Sequence, residues 1–126
     1  KEDKYMSNKD NLNIDTLCKE AHKNAKTKGF YEDIELIQST YEINSNEYKM
    51  FLNNALATRL MLINCEVAEA VEGLRKDDME NFKEEIADIF IRLGDLCGSL
   101  NINIEEEIIK KMKKNKERPY KHGKNF

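Results

Sequence analysis

The sequence predicts an all-α domain of four to five helices built on a central antiparallel helical hairpin. Three observations predict it. Apolar residues recur at the 3.6-residue period of a helix over most of the chain. Capping signatures precede the periodic stretches. One proline and five glycines in 126 residues leave few of the turns that a many-stranded protein needs.

The elements follow in order. Residues 1–12 are polar and read as a frayed segment. The first helix runs from about Ile14 to Lys28, with Ile14, Leu17, Cys18, Ala21 and Ala25 on one stripe and Gly29 as its stop. A short helix around Asp33–Thr40 is expected next. Asn44 with Glu47 forms a capping box for a long helix. Its apolar positions are Tyr48, Phe51, Leu52, Ala55, Leu56, Leu60, Ile63, Val67, Ala70, Val71 and Leu74, centred near Leu56, Ile63, Val67 and Leu74. Lys76–Asp78 is a tight turn, and Asp77 or Asp78 can cap the helix that follows. That helix reaches about Ser99, with Phe82, Ile86, Ile89, Phe90, Leu93, Leu96 and Cys97 inward. By this periodicity Phe51, Phe82 and Phe90 belong to the core. Asn103 with Glu106 opens a last helix through about Glu117, and Pro119 helps to end it. Residues 13–118 thus form one domain, with 119–126 as its basic tail.

Composition narrows the function classes. No apolar run approaches the ~18 residues of a membrane span. Cys18, Cys65 and Cys97 show no CxxC spacing and supply too few ligands for zinc. They read as buried, reduced thiols of a cytoplasmic protein. The net charge of −3 conceals a split. Residues 110–126 carry seven Lys and one Arg against one Glu, a balance of +7 that leaves −10 on the other 109 residues. Such a tail suits nucleic acid, a phosphorylated ligand or plain solvation.

The chemistry is carried by two acidic motifs, Glu66-Val67-Ala68-Glu69 and Glu85-Ile86-Ala87-Asp88. Each pair is at i, i+3 and so shares a helix face. Singly, either is an ordinary solvated surface. Together, their equal rotational offsets from the apolar centres put them on one side of an antiparallel hairpin. Both pairs are also centred equally far from position 77, the turn, which places them at one height. Four carboxylates so arranged repel one another, and a hard divalent cation relieves the repulsion. Oxygen-only ligands favour Mg²⁺ or Mn²⁺ and admit Ca²⁺. A di-iron bundle needs further histidine ligands, and the chain has only His22 and His122. On the last helix, Asn115 continues the stripe of Ile104, Ile108 and Met112 and is expected to point inward, with Lys111 and Arg118 on its flank. These three are candidate phosphate contacts. The alternative is a solvated helix end whose cations complement the dipole.

These residues resemble the MazG-like superfamily of all-α nucleoside triphosphate pyrophosphatases, which includes dimeric dUTPases, dCTP pyrophosphatases and phosphoribosyl-ATP pyrophosphatases. The pattern is an ExxE helix, here followed by fifteen intervening residues and ExxD. Cys65 stands where the family often has a further acid. The ending Lys113-Lys114-Asn115-Lys116-Glu117-Arg118-Pro119-Tyr120-Lys121-His122-Gly123-Lys124 and the opening His22-Lys23-Asn24-Ala25-Lys26-Thr27-Lys28-Gly29-Phe30-Tyr31 are similar as well. The resemblance implies a four-to-five-helix MazG-like bundle. It implies Mg²⁺-dependent cleavage between the α- and β-phosphates of a nucleotide, with Glu69 as first and Glu66 as second candidate general base. It implies tail contacts from Lys116, Tyr120 and Lys124 and base contacts from His22 and Tyr31. For His22 and Tyr31, ordinary packing is the competing expectation. A homodimer or homotetramer is expected, since a protomer this small leaves one side of the hairpin poorly covered. Phosphoribosyl-ATP pyrophosphohydrolase is the second enzymatic expectation. A non-catalytic helical regulator that binds nucleic acid through the basic tail ranks behind both, because no RNA-binding motif accompanies the tail.

Overall fold

The computed structural model describes residues 12–126, so most of the segment 1–12 lies outside it. Among the described residues there are five α-helices and no strand: α1 Ile14–Thr27, α2 Glu32–Thr40, α3 Asn46–Arg75, α4 Met79–Ser99 and α5 Ile104–Lys116. A short 3₁₀ turn, Tyr120–Gly123, closes the chain. The chain is all-α, and none of these helices is long and apolar enough to cross a membrane.

Local chemistry sets the boundaries. Asn13 caps α1 by accepting from the Thr16 amide at 2.8 Å, and Gly29 ends it in the left-handed conformation at φ +85°. The α3 cap departs from expectation. Asn44 takes a left-handed backbone at φ 69° and makes the turn. Ser45 is then the capping residue and accepts from the Tyr48 amide at 3.1 Å. The Asn44–Glu47 signature fails because a residue in that conformation cannot aim its side chain along the new helix. Asp78 and Asn103 cap α4 and α5 as anticipated.

α4 is the centre of the bundle, packed between α1 and α3. Both contacts need a missing side chain. A Cβ on Gly73 would meet the Phe82 amide nitrogen at 3.0 Å, so α3 and α4 close tightly at their turn. A Cβ on Gly98 would collide with the Cys18 carbonyl where α1 crosses α4. A small core of Tyr31, Ile34 and Ala55, flanked by Ala25, Ile37 and Leu52, fastens α2 to the first half of α3.

The face that α3 turns to the protein keeps Ala55, Ile63 and Ala70 of the expected stripe but is rotated from it. Its buried residues are Ala55, Ile63, Glu66, Ala70 and Gly73. Leu60, Val67, Val71 and Leu74 are exposed instead, as are Phe90, Ile86 and Leu93 of α4. Small residues at 70 and 73 permit the closest approach of the two helices, and dispersion favours that approach. The larger apolar residues then fall about 80–140° round the wheel from Glu66. Phe90 is 62% exposed and is not a core residue in the single chain. Phe51 lies at the margin, stacked on Tyr41 with ring centroids 5.1 Å apart. Cys18 is buried and Cys97 half-buried, whereas Cys65 is exposed on the side of α3 away from the packing. Burial raises the Cys18 and Cys97 thiols above the ordinary cysteine range.

Candidate metal centre

The hairpin brings the acidic motifs together. Glu66 lies eleven residues before position 77 and Asp88 eleven after, while Glu69 and Glu85 lie eight residues to either side. Equal rise along antiparallel helices therefore sets Glu66 opposite Asp88 and Glu69 opposite Glu85. Oxygens of Glu66, Glu85 and Asp88 converge to within 4.8 Å of one another. Glu66 is 8% exposed, the one buried charged residue among those described. Glu85 Oε2 is shut off from solvent and has no hydrogen-bond partner. The Glu85 carboxyl is pushed above the usual glutamate range, first by loss of surrounding water. The neighbouring Glu66 carboxyl and the charges of Glu69 and Asp88 push it the same way. An orphaned oxygen among three converging carboxylates fits a hard divalent cation. Glu69 stands just outside the converging set, exposed but close enough for its charge to act on Glu85.

One cation already touches this group. Arg92 Nε lies 2.5 Å from Glu66 Oε1. The sequence shows the signal that finds it, since Arg92 is four residues beyond Asp88 on α4 and shares its flank.

A second polar cluster sits higher on the same faces. Arg59 lies eighteen residues before position 77 and Asp95 eighteen after, so they are level with each other. Both are seven residues beyond the carboxylates of their own helices, about 10 Å along the axis. Asp95 Oδ1 accepts from the Tyr31 hydroxyl at 2.8 Å and lies 3.1 Å from His22 Nδ1. The Arg59 guanidinium covers the Tyr31 ring at 4.6 Å. It also donates to both Asp33 oxygens, at 2.8 and 3.0 Å, and to the Phe30 carbonyl at 2.7 Å. These bonds hold the Asp33 carboxyl below the usual carboxylate range. Tyr31 is 5% exposed, with its ring and hydroxyl already engaged, and burial raises its pKa. His22 meets the Tyr31 ring edge-on at 4.6 Å. Both line a cleft of about 370 Å³ with Gln38, Tyr48, Ser99 and Asn101. Arg59, Asp33 and Asp95 escaped sequence reasoning because their partners are far away along the chain.

α5 is placed differently from expectation. None of its residues is buried, and its principal neighbour is α1 rather than the hairpin. Asn115 is exposed, as are Lys111 and Arg118. The stripe of Ile108 and Met112 has no interior to face in a single chain, so Asn115 does not point inward. Arg118 pairs instead with His122 at 3.1 Å. Lys116, Tyr120 and Lys124 are also exposed. The chain therefore gathers the four acids but does not carry these cations to them.

Residues 61–126, more than half the chain, match a family model described as the MazG-like family. The match spans the four carboxylates, Arg92, α5 and the tail, and stops short of His22, Tyr31 and Arg59. No curated protein and no solved structure matches.

Proposed function

The chain belongs to the MazG-like family, and from that premise we propose that it is a Mg²⁺-dependent nucleoside triphosphate pyrophosphohydrolase. It cleaves the α–β phosphate bond of a (d)NTP to give the monophosphate and pyrophosphate, in the service of nucleotide-pool cleaning. The observation that carries this is the convergence of Glu66, Glu85 and Asp88 around a partnerless Glu85 oxygen.

In this reading those three residues hold the cation. When bound, Mg²⁺ offsets the charge of the triphosphate and acidifies a water, and Mn²⁺ serves the same purpose. Glu69, exposed at the rim and outside the converging set, takes the proton of the attacking water, with Glu66 as the second candidate. Lys111, Asn115 and Arg118 steady phosphate oxygens in the ligand-bound assembly, and Lys116, Tyr120 and Lys124 order with them. His22, which lines the cleft and lies beside Asp95 two helical turns along α4 from Asp88, takes the nucleoside base in this reading. Tyr31 acts there through its packing on Arg59.

We also propose a homodimer or homotetramer, on the strength of the exposed apolar stripes of α3 and α4. The test of function is pyrophosphate release from a panel of canonical and modified (d)NTPs, with and without Mg²⁺. Release that requires the cation is expected. No release from any member of the panel would sink the proposal.

A further inference from the structure

Three converging carboxylates, with Glu69 beside them, repel one another and call for a cation at their side. Arg92 is the group positioned to supply it. Side chains of a helix lean toward its N-terminus, so Arg92 leans along α4 toward Asp88 and the turn. It meets Glu66, whose level partner is Asp88, with Nε 2.5 Å from Oε1. The contact is lopsided. The Glu66 side chain is nearly buried at 10% exposure, whereas 44% of the Arg92 side chain faces solvent. Glu66 is thus fixed in the cluster, and the arginine reaches it from outside. A pair with one buried and one exposed partner breaks from the exposed side at least cost, because a guanidinium that swings into water recovers its hydration. The buried carboxylate then requires another cation.

We propose that Arg92 is an exchangeable counter-ion of the acidic cluster. It neutralises Glu66 in the metal-free protein, yields that carboxylate to the incoming divalent cation, and turns its freed guanidinium to an oxygen of the triphosphate. The proposal rests on the metal-binding reading above and adds to it a competitor built into the site. Its consequence is an order of events. Free Mg²⁺ must displace Arg92 without offering it a new partner, whereas Mg²⁺ that arrives with a triphosphate supplies the replacement anion. Metal and nucleotide therefore favour each other's binding through one side chain, and that coupling is reciprocal.

Two measurements test this. The first is Mn²⁺ binding to the metal-free protein without nucleotide, read by electron paramagnetic resonance. Arg92→Gln is expected to bind about tenfold more tightly than wild type, the scale of one charge-assisted pair. Arg92→Lys, which keeps the charge, is expected to stay near wild type. Affinity unchanged or weakened in Arg92→Gln would overturn the proposal and leave Arg92 as a fixed support for Glu66. The second uses the wild-type chain, so it stands even if a variant does not fold. The Arg92 Nε–H resonance is expected at the shift of a carboxylate-paired group without metal, and to move to that of a solvated arginine on Mg²⁺ addition. Persistence of the paired signal at saturating Mg²⁺ would also overturn it. Backbone amides of Glu66, Glu69, Glu85 and Asp88 report metal binding in the same spectra. If they do not move, the metal reading itself has failed. If they move while Arg92 stays paired, only the exchange has failed.

Discussion

At the scale of single residues, the four acids are not equivalent. Glu66 is buried and paired, Glu85 is partnerless at one oxygen, and Glu69 is exposed at the rim. Glu69→Gln is therefore expected to abolish pyrophosphate release while leaving the fold and its helicity intact. Full activity in that variant would exclude Glu69 as the base. Glu85→Gln differs, because the raised Glu85 carboxyl opposes its own ionisation in the fold. A carboxyl raised in the folded state contributes stability that is present below its unfolded pKa and is lost as pH rises through the folded value. The metal-free wild type should thus lose this contribution as pH climbs from the acid range toward neutrality. Glu85→Gln should flatten that part of the profile, raise the metal-free melting temperature near neutral pH, and weaken Mn²⁺ binding. Thermal melts across pH in a chelating buffer check the first two effects, and titration with Mn²⁺ checks the third. A lower melting temperature would mean that the repulsion inferred from the geometry is absent. The acids were legible in the sequence because motif spacing and helix rise are local quantities. Arg59, Asp33 and Asp95 were not, because nothing in their spacing tells which residues of α1 and α2 come to meet them.

At the scale of elements, the sequence revealed the helices and the caps of α4 and α5 but missed the Ser45 cap of α3 and the rotation of its packed face. Its apolar residues cover a wide arc, so periodicity alone admits more than one rotation. Small residues decided it: Ala70 and Gly73 let α4 approach, which turned Glu66 inward and Val67 and Leu74 outward. The same principle operates at the α1–α4 crossing, where Gly98 meets the Cys18 carbonyl. Gly98→Leu must push α1 off α4 and is expected to destabilise the fold by about 1–3 kcal/mol or more, measured by urea unfolding. A change within error would show that the crossing tolerates a side chain. The Arg59–Asp33 strap ties α3 to the segment between α1 and α2. Asp33→Asn removes the charge from a paired group and should cost about 0.5–1.5 kcal/mol at neutral pH, because half of the Asp33 side chain faces solvent and screens the pair. The sign with pH is opposite to that for Glu85. A depressed carboxyl contributes stability above its unfolded pKa and loses it as pH falls through the folded value. The difference between wild type and Asp33→Asn should therefore vanish at acid pH and be full at neutrality.

At the scale of the whole molecule, the sequence divides into a body of charge −10 and an ending of +7, and the fold keeps the two apart. Three of the acids, Glu66, Glu85 and Asp88, converge on one face of the hairpin, with Glu69 at their rim. The cations of α5 stay in solvent, where those of its last turn, Lys113, Lys114 and Lys116, complement the helix dipole. The opposite flank of the hairpin is apolar and uncovered. Leu60, Val67 at 44% exposure, Val71 and Leu74 line it on α3, and Ile86, Phe90 and Leu93 line it on α4. On a helical wheel the α4 residues stand about 140–160° from Asp88, and Leu93 about 80° from Glu85, so this flank adjoins the metal centre without covering Asp88. A soluble monomer seldom exposes so continuous a stripe, and a second copy offers an identical stripe with the same spacing. Sedimentation of the full chain at micromolar concentration is therefore expected to show a dimer or larger. Phe90→Lys combined with Val71→Glu is expected to yield a monomer that retains its helical signal and still binds Mn²⁺. A wild type that sediments only as a monomer would refute the proposed assembly. A charged double variant that stays associated would instead move the interface off this flank, to the exposed Ile108, Ile109 and Met112 of α5.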